Sequence, residues 1–193
     1  MPSKNLSYFL SAICDNLAVI NIRRKLSEAT ISKINRRLVQ RLIFILQQKK
    51  IWLVAMESCT GGALMNEITN VPGASNITRG GFITYSMSQK IALGVPVVLI
   101  KKYSVYSPQV AVVMAFQARR NIKGSNIGVG VTGVLAYDPK KRQKTPLDRI
   151  YLAVIYKNKL SVKKILLAPQ SSRAVAKAII VNQAFRGVFE ICS

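Results

Sequence analysis

A short polar turn in the first third of the chain carries the residues best suited to chemistry. An apolar run over residues 51–56 is followed by Glu-Ser-Cys-Thr-Gly-Gly at residues 57–62, and an amphipathic pattern then begins. Backbone N–H groups are free at a helix start and can hold a phosphate or a developing oxyanion. Glycines let a ligand approach the backbone closely, so we predict that Thr60 and Gly61 bind substrate. Ser58 is either a nucleophile at a strand-to-helix turn or only a helix N-cap, because serine is a common N-cap residue.

The absence of histidine limits the chemistry that this turn could perform. It excludes Ser-His-Asp and Cys-His catalysis and most zinc sites. The seven carboxylates form no paired cluster in the sequence, which argues against a two-carboxylate glycosidase and against a magnesium cage. We therefore predict no metal site and no cofactor. An enzyme with this composition would use a lysine, a tyrosine or an isolated carboxylate as its base.

The charge balance is strongly basic, with 29 Lys and Arg residues against 7 Asp and Glu and a formal net charge of +22. Such a surface attracts anions, including nucleic acid and phosphorylated metabolites. The basic residues are scattered from Arg23 to Arg186, which favours a general basic bias over a dedicated nucleic-acid surface. Nucleic acid bound through non-specific charge stays open as a partner.

The cysteines and the apolar runs bear on where the protein works. Three widely spaced cysteines, Cys14, Cys59 and Cys192, are odd in number and indicate a reducing compartment without a disulfide framework. No apolar run approaches the ~20 residues of a membrane span. We therefore predict a cytoplasmic protein without a membrane partner.

The hydrophobic periodicity predicts a sheet that is covered by helices on both faces, which is an α/β fold. Residues 1–26 are interpreted as a poorly patterned basic arm, and residues 27–193 as the folded domain. Residues 95–106 are ambiguous. Helices are predicted from Ser27 to about residue 45 and over residues 63–69, 88–94, 107–124 and 171–191. Strands are predicted over residues 49–56, 79–86 and 125–133 and as a hairpin over residues 149–168 that turns at Asn158.

Several short motifs occur in one order with characteristic gaps, and together they carry a family resemblance. They are ESCTGG (57–62), VPGAS (71–75), GGFITYSMSQK (80–90), GVP (94–96), VTG (131–133) and IYLAV (150–154). This set resembles the CinA C-terminal domain family, the nicotinamide-nucleotide amidohydrolases also called PncC. The likeness runs from about Arg37 to Glu190, with no counterpart before Ser27.

The resemblance implies a fold, a reaction and an assembly. The fold is a three-layer α/β/α sandwich with a mixed sheet of about five strands, here as the stand-alone form of the domain. The reaction is deamidation of nicotinamide mononucleotide to nicotinate mononucleotide and ammonia. The implied partners are a small-molecule nucleotide substrate and further copies of the chain in a homo-oligomer.

The same resemblance implies roles for single residues. Ser58 corresponds to the nucleophile, Lys90 to its basic partner and Tyr85 to a third catalytic residue. Cys59 is interpreted as a packing residue, because it has no histidine or metal to activate it. The implied substrate-binding residues are Ser75, Thr132 and Arg173.

The chain departs from the family pattern in the loop over residues 133–149. A glycine-rich segment is replaced by a bulkier basic one, with Ala136-Tyr137 and Leu147-Asp148-Arg149 at the changed positions. Such replacements can reshape one side of a pocket. Two alternatives therefore remain beside the deamidation of nicotinamide mononucleotide. One is a degenerate, non-catalytic protein that binds nucleotides or nucleic acid, and the other is hydrolysis of a different amide.

Overall fold

One mixed sheet of six strands forms the middle layer of the fold. The computed structural model describes residues 4–135 and 148–192. Its strands are β1 (Leu17–Ile22), β2 (Leu53–Glu57), β3 (Thr78–Ile83), β4 (Ile127–Val134), β5 (Asp148–Tyr156) and β6 (Lys159–Leu167). Their order across the sheet is β1-β6-β5-β4-β2-β3. Strands β3, β2 and β4 are parallel, β5 is antiparallel to both its neighbours, and β1 is parallel to β6.

Helices cover both faces of this sheet, which confirms the predicted three-layer sandwich. Within the described residues they are α1 (Lys4–Ser11), α2 (Ile13–Asn16), α3 (Glu28–Gln48), α4 (Ala63–Thr69), α5 (Met87–Ala92), α6 (Val97–Tyr103), α7 (Pro108–Asn121) and α8 (Arg173–Cys192). Helices α3, α4 and α8 pack on one face, and α7 packs on the other with α1, α2 and α6. None of the helices in the described part is long and apolar enough to cross a membrane.

Strand β2 lies at the centre of both apolar cores. Leu53 and Ala55 belong to the core under α3 and α8, whereas Val54 and Met56 belong to the core under α7. Every residue of the strand is buried, as expected of a parallel strand that is covered on both faces. The apolar run that ends at the polar turn is therefore apolar because both of its faces pack against helices.

The predicted helix starts are confirmed by their caps. The hydroxyl of Ser27 accepts a hydrogen bond from the N–H of Thr30, and α3 begins at the next residue, Glu28. The hydroxyl of Ser107 accepts from the N–H of Val110 at the start of α7. The hairpin of β5 and β6 turns at residues 157–158, as predicted. The ambiguous residues 95–106 contain α6.

The prediction of about five strands was one strand short, and the additional strand is β1. It comes from residues 1–26, to which the sequence analysis assigned no element. Leu17–Ile22 pairs in parallel with residues 162–167 at the edge of the sheet. Its side chains are only partly buried and do not alternate between buried and exposed. Because an edge strand of this kind has no period-2 pattern, its sequence does not distinguish it from a loop.

Two glycines of β4 allow α7 to pack directly on the sheet. A Cβ on Gly128 would lie 2.1 Å from the carbonyl oxygen of Ala115, and one on Gly130 would lie 2.1 Å from that of Ala111. Both neighbours are backbone atoms of the helix, which cannot move aside as a flexible side chain can.

We expect Gly130→Ala to lower the free energy of unfolding by about 1–3 kcal/mol, because the added methyl group overpacks the contact between α7 and β4. Gly130 does not have a positive φ angle, so backbone strain does not contribute to this loss. Urea unfolding followed by circular dichroism measures it. An unchanged midpoint would contradict the close approach of helix and strand.

Candidate active site

The carboxyl end of β2 places the hydroxyl of Ser58 against a buried lysine. The Nζ atom of Lys90 lies 2.9 Å from the Oγ atom of Ser58 and donates to the carbonyl oxygen of Thr84 at 2.6 Å. Ser58 is 3% exposed and Lys90 is 1% exposed. The two residues are 32 positions apart in the sequence, and the fold joins them by a direct polar contact.

Neighbouring strands hold both sides of this contact in place. The N–H of Ser58 donates to the carbonyl oxygen of Val131 on β4 at 3.0 Å, and the N–H of Thr84 donates to that of Glu57 at 2.7 Å. Ser86 caps the next helix, α5, which carries Lys90 on its buried side. Only three residues separate β3 from α5, so the Lys90 amine can reach back to the carbonyl oxygen of Thr84 at the end of β3.

Burial lowers the pKa of Lys90, and the negative charge of a Cys59 thiolate acts in the opposite direction. In the described part of the chain, the amine has no carboxylate within salt-bridge distance. Desolvation without an opposite charge disfavours the ammonium form. A neutral amine can donate one N–H to the carbonyl of Thr84 and accept the proton of Ser58 with its lone pair. That arrangement is the one a general base requires.

Glu57, and not Ser58, caps helix α4. The Glu57 carboxylate accepts hydrogen bonds from the backbone N–H groups of Gly62, Leu64 and Met65 at 3.0–3.1 Å. The N-cap position is Gly62, with a φ angle of 92°. The interpretation of Ser58 as a cap was therefore wrong, because a buried carboxylate can reach across the turn and a serine hydroxyl cannot.

This cap also corrects the expected position of the oxyanion donors. Because the N–H groups of Gly62, Leu64 and Met65 already bind Glu57, they are not free to stabilise an oxyanion beside Ser58. Among the described residues, the N–H of Thr60 has no acceptor. The Thr60 hydroxyl is also buried without a hydrogen-bond partner there. The Glu57 cap therefore leaves the N–H and the hydroxyl of Thr60 as unpartnered donors in this turn, although Thr60 is not among the residues that line the cavity beside Ser58.

Ser58 opens into a cavity of about 200 Å³. Tyr85 is 68% exposed at the rim of this cavity. The guanidinium of Arg173 donates to the carbonyl oxygen of Leu135 at 2.7 Å, which fixes it in the cavity wall. The residues that line the cavity are Ser58, Cys59, Tyr85, Tyr106, Gly133, Val134, Leu135 and Arg173. The structure thus brings together four of the residues that the resemblance singled out, because Lys90 lies directly behind Ser58.

Two predicted substrate-binding residues lie elsewhere. Ser75 is exposed in a 3-10 turn (Ala74–Asn76) that precedes β3, at the opposite end of the strand from Thr84. Thr132 is fully buried, and its hydroxyl donates to the carbonyl oxygen of Val105 at 2.9 Å. The hydroxyl of Thr132 therefore joins β4 to the segment before α7 and does not line the cavity.

Lys177 is a cation near the cavity that the sequence analysis did not select. Its amine lies 3.3 Å from the position that a Cβ on Gly61 would take. Gly61 itself has a φ angle of 62°, so the turn needs glycine both for its conformation and for this close approach. Lys177 follows Arg173 by four residues on α8, and this i, i+4 spacing places both cations on one helix face. That spacing was the signal available in the sequence.

The altered loop is described only at its ends. Residues 136–147 lie outside the described residues, and so do the Ala136-Tyr137 pair and Leu147. Residues 148 and 149 are the first residues of β5, where Arg149 pairs with Val134 of β4.

A family model for the CinA C-terminal domain matches residues 35–192, most of the chain. The chain belongs to the CinA C-terminal domain family. A competence-damage inducible protein of Moorella thermoacetica is 35% identical over 127 residues, which are 65% of this chain and 30% of that protein. A relative of the same description from Streptococcus equi subsp. zooepidemicus is 31% identical over 180 residues, 84% of this chain and 42% of its own length. The chain thus covers less than half the length of these relatives.

Solved structures of this family share the fold. The competence/damage inducible protein CihA from Agrobacterium tumefaciens aligns with a TM-score of 0.74 and 24% identity, over 82% of this chain and 96% of that one. A CinA superfamily protein from Escherichia coli aligns with a TM-score of 0.69 and 23% identity, over 86% and 94%. At these identities, the likeness describes the fold and leaves the activity to be argued from the site.

We expect Glu57→Gln to lower the free energy of unfolding by about 2–3 kcal/mol, because a neutral amide cannot accept three backbone hydrogen bonds as the carboxylate does. Glu67→Gln is the matched control, since Glu67 lies on the same helix and makes no bond to its N-terminus. Thermal unfolding of both variants provides the comparison. Equal losses would show that the cap is not the source of the effect.

We expect the thiol of Cys59 to resist alkylation in the folded protein. Burial raises its pKa to about 12, so almost none of it is thiolate at neutral pH. Cys14 is exposed and serves as the internal control. Mass spectrometry after brief iodoacetamide treatment should find Cys14 modified, and Cys59 modified only after unfolding. Labelling of Cys59 at the rate of Cys14 would contradict its role as a packing residue.

Proposed function

We propose that the chain is an amidohydrolase that deamidates nicotinamide mononucleotide to nicotinate mononucleotide and ammonia, with Ser58 as nucleophile and Lys90 as general base. The observation that carries this proposal is the 2.9 Å contact between the Lys90 amine and the Ser58 hydroxyl in a buried site. A serine hydroxyl is a weak nucleophile at neutral pH and needs an adjacent base. The chain contains no histidine, and the lysine takes that place.

In the first half of the reaction, the Oγ of Ser58 attacks the carboxamide carbon while the lone pair of Lys90 takes the hydroxyl proton. The carbonyl π-bond becomes the oxyanion of a tetrahedral intermediate. The N–H of Thr60, two residues after Ser58, is a candidate donor to that oxygen, because it has no acceptor among the described residues whereas the N–H groups of Gly62 and Leu64 already bind Glu57. The C–N bond then breaks, the Lys90 ammonium gives its proton to the leaving nitrogen, and ammonia departs.

In the second half, water hydrolyses the ester on Ser58. Lys90 is neutral again after ammonia leaves, so it can remove a proton from the attacking water. Collapse of the second tetrahedral intermediate returns the proton to the Oγ of Ser58 and releases the carboxylate product. The carbonyl of Thr84, which accepts from the amine at 2.6 Å, keeps Lys90 oriented through both halves.

The walls of the cavity suit a phosphorylated substrate with an aromatic ring. Arg173 lines the cavity, and Lys177 adds a second positive charge near it on the same face of α8. A guanidinium binds phosphate oxygens well. The rings of Tyr85 and Tyr106 line the same cavity, where they can pack against a pyridinium ring by cation–π attraction. We infer that Tyr85 acts by this contact, since it is exposed at the rim and makes no hydrogen bond to Ser58 or Lys90 within the described residues.

The cost of burying Lys90 argues against the degenerate, binding-only alternative. An amine enclosed without a carboxylate partner destabilises the folded state, because its charged form loses hydration. An apolar side chain of similar size would fill the same space without that cost. A site that only bound ligands would gain nothing from a neutral lysine directed at a serine hydroxyl.

We expect Ser58→Ala to reduce the release of ammonia from nicotinamide mononucleotide by roughly a thousandfold or more, since it removes the nucleophile. Cys59→Ala is the matched control and should keep most of the activity. A coupled ammonia assay with chromatography of the acid product measures both variants. Absence of turnover in the unaltered chain, or equal turnover in Ser58→Ala, would reject the proposal. Salt-sensitive retention on nucleic acid without deamidation would favour the binding-only alternative.

We expect kcat/KM to rise with pH through the lowered pKa of Lys90, because only the neutral amine accepts the Ser58 proton. The inflection should lie below the ordinary lysine pKa of about 10.4. Lys90→Met should lower activity by about 100-fold or more and remove this inflection. A pH–rate profile with the same inflection in Lys90→Met would show that another group is the base.

The same pKa shift predicts how stability depends on pH. The unfolded chain binds the Lys90 proton more tightly than the folded chain does, so folding becomes more favourable as pH rises from the folded pKa towards the unfolded one. Lys90→Met should remove that part of the dependence. Urea unfolding at a series of pH values, for the unaltered chain and the variant, measures the difference, and parallel curves would contradict the shift.

A further inference from the structure

A second and larger cavity, of about 500 Å³, lies at the opposite end of β4 from Ser58. Ser125, just before the first residue of β4, lines this cavity, whereas Gly133 near the end of the strand lines the catalytic one. Seven residues separate them, six of them in β4, which corresponds to about 25 Å. The volume falls in the range of about 300–1,000 Å³ that is usual for small-molecule sites.

The wall of this second cavity carries three cations. They are Arg119 and Arg120 from the last turn of α7 and Lys157 from the hairpin turn between β5 and β6. No carboxylate is among the described residues that line the cavity, and none of the three cations forms a salt bridge there. Arg119 is partly buried, and desolvation lowers its pKa. Cations that converge on a partly desolvated space without a counter-charge attract an anion.

Aromatic rings form the other part of the wall. The rings of Phe9 and Phe116 are almost fully buried, with their centroids 6.3 Å apart, and they form the base of a small aromatic cluster. Tyr8 stands edge-on to Phe9 at 5.4 Å and is 55% exposed, so one side of its ring is open to a ligand. The guanidinium of Arg120 lies 5.9 Å from the centre of the Phe116 ring. An exposed ring beside cations is a suitable surface for a planar base with an attached phosphate.

Two further observations indicate that the cavity is built for a ligand. The hydroxyl of Ser125 is buried and has no hydrogen-bond partner among the described residues, although a buried hydroxyl normally has one. Lys157 has a φ angle of 53° at a two-residue hairpin turn, where glycine or asparagine is the usual residue. A lysine in the left-handed region carries a conformational cost, and its charge at the cavity is a reason to keep it.

The N-terminal segment contributes part of the wall of this cavity. Tyr8 and Phe9 lie on α1, outside the residues 35–192 that match the family model. Helix α1 packs on α7 through Phe9 and Phe116. The segment that adds β1 to the sheet therefore also completes the second cavity.

We propose that this cavity is a second ligand site, distinct from the Ser58 site, that binds a nucleoside phosphate with its base against Tyr8 and its phosphate held by Arg119, Arg120 and Lys157. The Ser125 hydroxyl donates to the same ligand. The alternative role for the two arginines is structural, because cations at a helix C-terminus interact favourably with the helix dipole. A structural role predicts a change in stability and no bound ligand.

The test is calorimetric titration of the full chain with adenosine monophosphate, with inorganic phosphate and adenosine as the two partial ligands. We expect the nucleotide to bind more tightly than either part. Arg119→Gln and Lys157→Asn should each weaken binding by about tenfold or more, since each removes a charged partner of the phosphate. Lys157→Asn is the variant least prone to disturb folding, because asparagine tolerates a positive φ angle. Thermal unfolding checks that each variant is folded.

Two control variants distinguish binding at the second cavity from binding through general positive charge and from binding in the Ser58 cavity. Arg36→Gln makes the same change at an exposed position on α3 and should leave binding unchanged. Arg173→Gln should weaken only nucleotide held at the Ser58 cavity, so the binding that Arg119→Gln weakens should persist in this variant, whether or not the chain proves to be an amidohydrolase. The proposal is overturned if millimolar nucleotide does not bind, if Arg36→Gln weakens binding as much as Arg119→Gln, or if only Arg173→Gln weakens it. Binding of a single-stranded oligonucleotide, but not of the mononucleotide, also overturns it.

Discussion

An amine that is 1% exposed, with no carboxylate partner in the described part of the chain, has a high free-energy cost in its charged form. Lys90 avoids that cost when it is neutral, and it then has two partners, the hydroxyl of Ser58 and the carbonyl of Thr84. Both partners sit at carboxyl ends of adjacent parallel strands, so their separation is set by the sheet. The pairing of β2 and β3 therefore fixes where the hydroxyl and the carbonyl meet, and the short helix α5 carries the amine to that point.

Glu57 and Ser58 are adjacent in the sequence, but their side chains contact different elements because of the geometry of a strand. Successive side chains of a strand point to opposite faces. Glu57 points to the face where α4 begins and satisfies three of its N–H groups, while Ser58 points towards α5 and Lys90. Because the carboxylate takes the helix start, the serine hydroxyl stays available for reaction. The same cap removes the helix N–H groups from the set of oxyanion donors.

The sequence predicted most of the fold because its signals were local. The helix starts at Ser27 and Ser107 and the hairpin turn at residues 157–158 each follow from residue types a few positions apart. The partnership of Ser58 and Lys90 came from the family motifs, since no local rule joins residues 32 positions apart. Strand β1, the cap by Glu57 and the position of Thr132 outside the cavity could not be predicted, because each depends on a tertiary partner. No sequence pattern distinguishes a buried carboxylate that caps a helix, such as Glu57, from a carboxylate that lies at the edge of the core.

Helix α7 runs between the two ends of the sheet and connects them physically. Gly128 and Gly130 bring its backbone against β4, so strand and helix form one rigid pair. The start of α7 adjoins the catalytic end, where Thr132 bonds to the carbonyl of Val105, and its last turn carries Arg119 and Arg120 at the other end. The cations of the described part of the chain thus have different surroundings: Lys90 is buried against Ser58, whereas Arg119, Arg120 and Lys157 line a cavity without a carboxylate among its described residues.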